Sequence, residues 1–233
     1  MYTIIKFDDI LKKFFKNYSK EYDTPVTIGI LVADGLQDDA KQYILNYMNI
    51  FDMHSGKYFD FYIPGYYEES DENEQLMSKK YHPNSAQGWR SMNEYSFTLS
   101  RTGKRYYFSK HEFDCFIEEM RVRMGIEYTY NPMLILIEVN RNKCRGQLEF
   151  QDRIIIELDA TTKGVKQSGR LFDKIFDIAK NYVGLDRFSN AVRMYYIKGK
   201  AVKNIVNFLC EDRIKPVVSV VGDIWAYRIR SVD

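Results

Sequence analysis

The densest group of side chains able to do chemistry in this 233-residue chain lies in RIIIELDATTKGVKQSGR, residues 153–170. An apolar run ends in Glu157 and Asp159, and a polar stretch with Thr161, Thr162, Lys163, Lys166, Ser168 and Arg170 leads toward an amphipathic helix. A helix start turns backbone N–H groups toward an anion, and hydroxyls and cations beside it add donors and charge. These six residues are therefore a candidate anion- or nucleotide-binding set. The same residues also make an ordinary solvated strand-to-helix connection with Ser168 as its cap. Metal-dependent hydrolysis asks for more, namely two carboxylates to hold Mg²⁺ and a lysine to orient the attacking water. Asp152 and Glu157 can supply the acids, but Asp159 stands where an ExK motif requires its lysine, and Lys163 can serve only by reaching back.

A second group sits in and beside GYYEESDENEQLMSKKYHPNSAQGWRSMN, which is acidic in its first half and basic in its second. Tyr66, Tyr67, His82, Trp89 and Arg90 are aromatic and basic residues of the kind that contact a partner, so this stretch is a candidate partner-binding loop. Structureless stretches of this length are uncommon inside domains and often serve as lids, binding loops or inserts.

Several chemistries lack an anchor. Cys115, Cys144 and Cys210 are odd in number and form no CxxC or Cys/His cluster, so they read as buried free thiols. His54, His82 and His111 lack ligand spacing and read as separate surface positions, so neither a metal site nor a cofactor is expected, save Mg²⁺ if the chain is a nuclease. No GxGxxG, GxxxxGK[ST] or GxSxG is present.

The elements that must position these residues follow from composition and period. With 45% hydrophobic and 28% charged residues the chain reads as one folded domain over 1–233. No apolar run is long enough for a membrane helix, and Asp8 and Asp9 interrupt the start MYTIIKFDDILKK where a signal peptide needs apolar residues, so a cytoplasmic protein without membrane contact is expected. The net charge of +2 points to no polyanion, although residues 131–233 hold 18 Lys and Arg against 12 Asp and Glu. Residues 7–20 carry a helical stripe, TPVTIGILVADG a strand buried on both faces, and residues 38–51 a first long helix. A second strand spans about 57–65, and EYSFTLS and RYYFS flank a Thr102-Gly103-Lys104 turn as a hairpin. FSKHEF starts helix two with a Ser109/Glu112 capping box and a Phe108/Phe113 staple, and Gly125 ends it. NPMLILIEV is a buried strand, RGQLEF and RIIIELDA are one long strand or a hairpin, and SGRLFDKIFDIAKNYVG is helix three. The remainder reads as a strand (AVRMYYI), a helix (KAVKNIVNFLCED) and two closing strands, a βαββ extension over about 186–233.

Strand, helix, strand, then helix, two strands and a final helix resembles the βαβ-α-ββ-α core of thioredoxin-like folds, here over residues 26–184 with an N-terminal helix, an inserted hairpin and a long loop. Asn131-Pro132 stands before the third core strand, where that family carries a proline, usually cis. The family's CxxC would fall just after the first strand, and this chain has ADGLQDDA there. Without sulfur the resemblance implies a non-redox binding or regulatory protein that acts through a protein or nucleotide partner. Asp34, Asp38 and Asp39 would repel a phosphate at that junction and read as helix-start acids. From helix two onward the order also resembles the core of restriction-endonuclease-like enzymes, which implies a Mg²⁺-dependent nuclease or other nucleic-acid-processing enzyme using residues 152–170.

Overall fold

A computed structural model describes residues 2–4, 7–10, 12, 26–56, 59–70, 96–139, 150–181, 215–217 and 227–232. The main sheet contains β1 (Tyr2–Ile4), β2 (Val26–Val32), β3 (Phe59–Pro64), β7 (Met133–Val139), β8 (Phe150–Leu158), β9 (Lys215–Val217) and β10 (Tyr227–Val232). Their order is β1-β3-β2-β7-β8-β10-β9. The pairs β1/β3 and β3/β2 are parallel, and every pairing from β2/β7 onward is antiparallel. A second, three-stranded antiparallel sheet has the order β4-β6-β5, from β4 (Tyr66–Glu68), β5 (Ser96–Thr98) and β6 (Arg105–Phe108). Helices α1 (Asp38–His54), α2 (Lys110–Met124) and α3 (Thr162–Asn181) complete a mixed α/β architecture, with a helical segment at 7–10.

All six residues of β3 are buried, so its sheet is covered on both faces. On one face Phe61 stacks on Phe51 of α1 at 4.3 Å between centroids, and Phe176 of α3 meets Phe61 edge-on at 5.4 Å. Phe172 of α3 stands edge-on to both Tyr47 and Phe51 at 4.8 Å, which locks the two helices together. The second layer joins α2 to the N-terminal segment. There Phe7 stacks on Phe116, the Phe7 N–H donates to Glu119, and Arg123 pairs with Asp8.

Local signals account for the start of α2. Ser109 Oγ accepts the Glu112 N–H, Phe108 and Phe113 pack at 5.6 Å, and Gly125 ends the helix in the left-handed region. Gly65 separates the two sheets. Its φ of +79° turns the chain from β3 into β4, and a Cβ there would lie 2.7 Å from the Cβ of Phe113. The β5–β6 hairpin is docked on α1, because Arg101 pairs with the buried Asp52 at 2.8 Å and the Ser100 N–H donates to Asn49.

Several expectations change. α3 begins at Thr162, six residues before Ser168; Ser168 lies inside the helix on its buried stripe, and the cap is Thr161, whose Oγ1 accepts the Gly164 N–H at 3.1 Å. The polar TKGVKQ turn hid the true start. α1 runs on to His54. Cys115 is exposed, whereas the sequence suggested burial. β1, unforeseen, lies at the edge of the sheet. Phe150–Leu158 is one continuous strand, and β10 pairs with β8, so the C-terminal strands join the main sheet. The expected strand AVRMYYI, helix KAVKNIVNFLCED, Gly184, Cys144 and Cys210 lie outside the described residues.

Two outcomes test this account. Gly65→Ala should destabilise the fold by about 2 kcal/mol in urea unfolding, because it combines left-handed strain with a clash, whereas Gly103→Ala, with open space around it, should cost only about 1 kcal/mol. Burial raises the Asp52 pKa, but hydrogen bonding and positive charge, the Arg101 hydrogen bond foremost, outweigh it and hold the carboxyl below its ordinary 3.8. The ionised form therefore stabilises the fold above that value and loses its contribution as pH falls through the lower folded pKa. The stability gap between wild type and Asp52→Asn should be constant from neutral pH down to about 5 and narrow below about 4.

Candidate functional site

The register collects the candidate groups at one end of the main sheet. Val32 faces Met133, and Met133 faces Glu157, so β2 and β8 finish side by side with the start of β7 between them. β3 is parallel to β2, so Pro64 also points its chain to that end. β2 is flanked by parallel β3 on one side and antiparallel β7 on the other, so the chain leaving β2 emerges between the end of β3 and the start of β7.

At this end Asp34 follows β2 and is 4% exposed. Its Oδ1 accepts the Leu36 N–H at 2.9 Å and its carbonyl accepts the Gln37 N–H at 3.2 Å, a turn that leads the chain into α1. The other oxygen faces Lys110 Nζ of α2 at 3.7 Å, and Lys110 also bonds Asp114 closely. Two tyrosines complete the cluster. Burial, then the Asp34 charge, pushes the pKa of both the Tyr66 and Tyr128 hydroxyls upward, so both stay protonated. The Tyr66 hydroxyl reaches the turn itself, and only the missing side chain of Gly35 lets it come so close: a Cβ there would be 2.6 Å from it. Partial burial lowers the Lys110 pKa, but its bond to Asp114 and the charge of Asp34 outweigh it, so the ammonium is held firmly charged.

Two apolar side chains stand outside this cluster. Leu36 is 45% exposed, and Tyr130, in the segment before β7, is 73% exposed. Tyr130 has a φ of +64°, a strained conformation for a bulky residue, and its ring packs on Tyr128 at 5.8 Å. The peptide bonds of the described residues, that of Pro132 included, are trans.

The 153–170 group divides. Asp159 Oδ1 accepts the Thr161 N–H and the Asp159 carbonyl accepts the Tyr43 hydroxyl at 2.6 Å, while Tyr47 donates to the Val165 carbonyl. Ser168 is fully buried, donates to the Gly164 carbonyl and lies 3.2 Å from the Tyr43 hydroxyl, so it works inside the fold. Burial, above all, raises the Tyr43 pKa as well. Thr161, Thr162, Lys163, Lys166 and Arg170 are exposed, and no carboxylate pairs with the three cations among the described residues. Glu157 is half-buried at the end of β8, and Asp152 lies in the same strand, its side chain outside those described. Among the described residues no three His, Cys, Asp or Glu side chains stand close enough to hold a metal ion together.

Tyr66 and Tyr67, grouped by sequence with the long loop, form β4 and are buried at 2% and 3% exposure. His82, Trp89 and Arg90 lie outside the described residues. Sequence reasoning passed over Lys110, Tyr128 and Tyr130, and took Asp34 for a helix-start acid. The Asp-Gly turn after a buried strand was a usable signal for Asp34; Lys110, distant in sequence, carried none.

No protein-family model, curated protein or solved structure matches this chain. No helix among the described residues is long and apolar enough to cross a membrane.

The pairing at the site can be measured directly. In a cycle of Asp34→Asn, Lys110→Met and the double variant, chemical unfolding should give a coupling of about 1 kcal/mol, the value for a pair with one half-exposed partner that is shared with a second carboxylate.

Proposed function

We propose that this chain is a non-redox, thioredoxin-like binding protein that takes a protein partner at the end of the sheet where Asp34, Leu36 and Tyr130 gather. The scaffold half of this reading is supported by the strand order β3-β2-β7-β8, parallel then antiparallel twice, with α1, α2 and α3 as connections and close. This is the arrangement that thioredoxin-like cores share. The junction after β2 carries an Asp34–Lys110 pair in place of sulfur, which removes thiol exchange there and leaves recognition.

The observation that carries the binding half is Tyr130. A bulky residue in the left-handed region costs roughly 1–3 kcal/mol, and strain of this size concentrates at sites that use it. Here it holds an aromatic ring in solvent, packed on Tyr128, and Leu36 of the turn after β2 is exposed as well; an exposed aromatic ring is an anchor of the type that dominates protein interfaces. The Asp34, Lys110 and Asp114 charges at its border would set orientation and encounter rate.

A second reading, contact with a nucleotide or nucleic acid and with it a Mg²⁺-dependent enzyme, is favoured by Lys163, Lys166 and Arg170, three exposed cations on one stripe of α3 with no described partner. One experiment separates the two. The purified chain and its Leu36→Ser/Tyr130→Gly variant are used as bait in extract from the native host, and both are incubated with labelled DNA and RNA in Mg²⁺ or EDTA. The leading reading expects a stoichiometric protein on the wild type that the variant loses while its unfolding midpoint stays equal or rises, since glycine relieves the strain at 130. A partner retained equally by the variant overturns the assignment of this surface. Metal-dependent cleavage that Glu157→Ala abolishes replaces the leading reading with the second.

A further inference from the structure

Away from the sheet end, α2 turns a pair of metal-type ligands to solvent. HEFDC places His111 and Cys115 four residues apart, a spacing that helical geometry stacks on one face. Along the sequence the cysteines form neither a CxxC nor a Cys/His cluster and His111 reads as a separate surface position, because the pair shares a face only once the helix is formed. Once the helix is formed both side chains are exposed and Cys115 Sγ lies 3.7 Å from His111 Nε2.

This distance has a chemical meaning. Zinc bonds of about 2.3 Å to sulfur and about 2.05 Å to imidazole nitrogen, closed at a tetrahedral angle, set the two ligand atoms about 3.6 Å apart. The pair holds that spacing in the rotamers it already has, so chelation requires no rearrangement of either side chain. Thiolate and imidazole select borderline and soft ions over Mg²⁺ or Ca²⁺, which prefer oxygen.

We propose that His111 and Cys115 form a surface site for one divalent cation of the zinc class. The metal displaces the thiol proton to solvent and is held by Sγ and Nε2, with its remaining positions open to water or to a ligand from another molecule. No third His, Cys, Asp or Glu among the described residues joins the pair, so the site is open, unlike a closed structural centre. The adjacent Asp114 is engaged by Lys110. Lys110 and the positive end of α2 disfavour a bare cation, and the negative charge of the metal-bound sulfur, left by the displaced proton, offsets this. The proposal is independent of the protein-partner reading.

Cobalt(II), a coloured substitute for zinc, tests it on the full chain under reducing conditions. Titration should produce a thiolate-to-cobalt charge-transfer absorption that saturates at one ion per chain and disappears on adding zinc or EDTA. Cys115→Ser should abolish the absorption, and His111→Ala should raise the cobalt concentration needed for half-saturation. Both variants should keep the wild-type melting temperature, because both side chains lie on the surface. Absence of absorption in the wild type leaves only a hydrogen bond at this place and overturns the site. Absorption that persists in Cys115→Ser belongs to another thiol and overturns it too. Saturation unchanged in His111→Ala reduces the site to a lone thiol and overturns the chelate.

Discussion

Strand β2 is the constraint on which the remaining structure depends. It is hydrogen-bonded on both edges, parallel to β3 and antiparallel to β7, and its residues from Thr27 to Val32 are buried. A one-residue slip would exchange the side chains facing α1 and α3 for those facing the other layer, a penalty paid along the whole strand. Its register is therefore fixed, and with it the position of everything that follows Val32. The Asp34 turn is accurate because the strand beneath it has no freedom.

The helices convert this fixed strand into a fixed end. Phe172 wedges between Tyr47 and Phe51, and Phe61 backs Phe51 from the sheet, so α1 and α3 share one aromatic seam. Above the seam, the Tyr43 hydroxyl donates to the Asp159 carbonyl just before α3, and the Tyr47 hydroxyl donates to the Val165 carbonyl in its first turns, so both buried hydroxyls find acceptors on α3 and its approach. The tyrosines thus supply apolar area below and hydrogen bonds above, which phenylalanine could not do.

Legibility in the sequence followed the range of the interactions. The start of α2 was fully legible, since Ser109, Glu112, Phe108, Phe113 and Gly125 act within a few residues of one another. β2, β7 and the hairpin were legible from their apolar runs and turn. The start of α3 was misread because Ser168 occupies a position on the apolar stripe; a buried serine is affordable there only because the Gly164 carbonyl accepts its proton. The sheet-end cluster was largely illegible. Asp34, Tyr66, Lys110 and Tyr128 come from four separate segments and meet only through strand register and the Gly65 turn, neither of which local period encodes.

The small sheet carries a consequence for the connection between its strands. β4 and β5 both pair with β6, so Glu68 and Phe97 lie opposite the same residue, Tyr106, on its two sides. Strand spacing sets them about 10 Å apart, two steps across the sheet. The chain between them is therefore closed at its base by backbone hydrogen bonds whatever its length. Closure entropy grows only with the logarithm of length, by about 0.6 kcal/mol for each doubling. The entropic cost of joining β4 to β5 therefore depends only weakly on how many residues separate them, and β6, by pairing with both strands, fixes where that connection begins and ends.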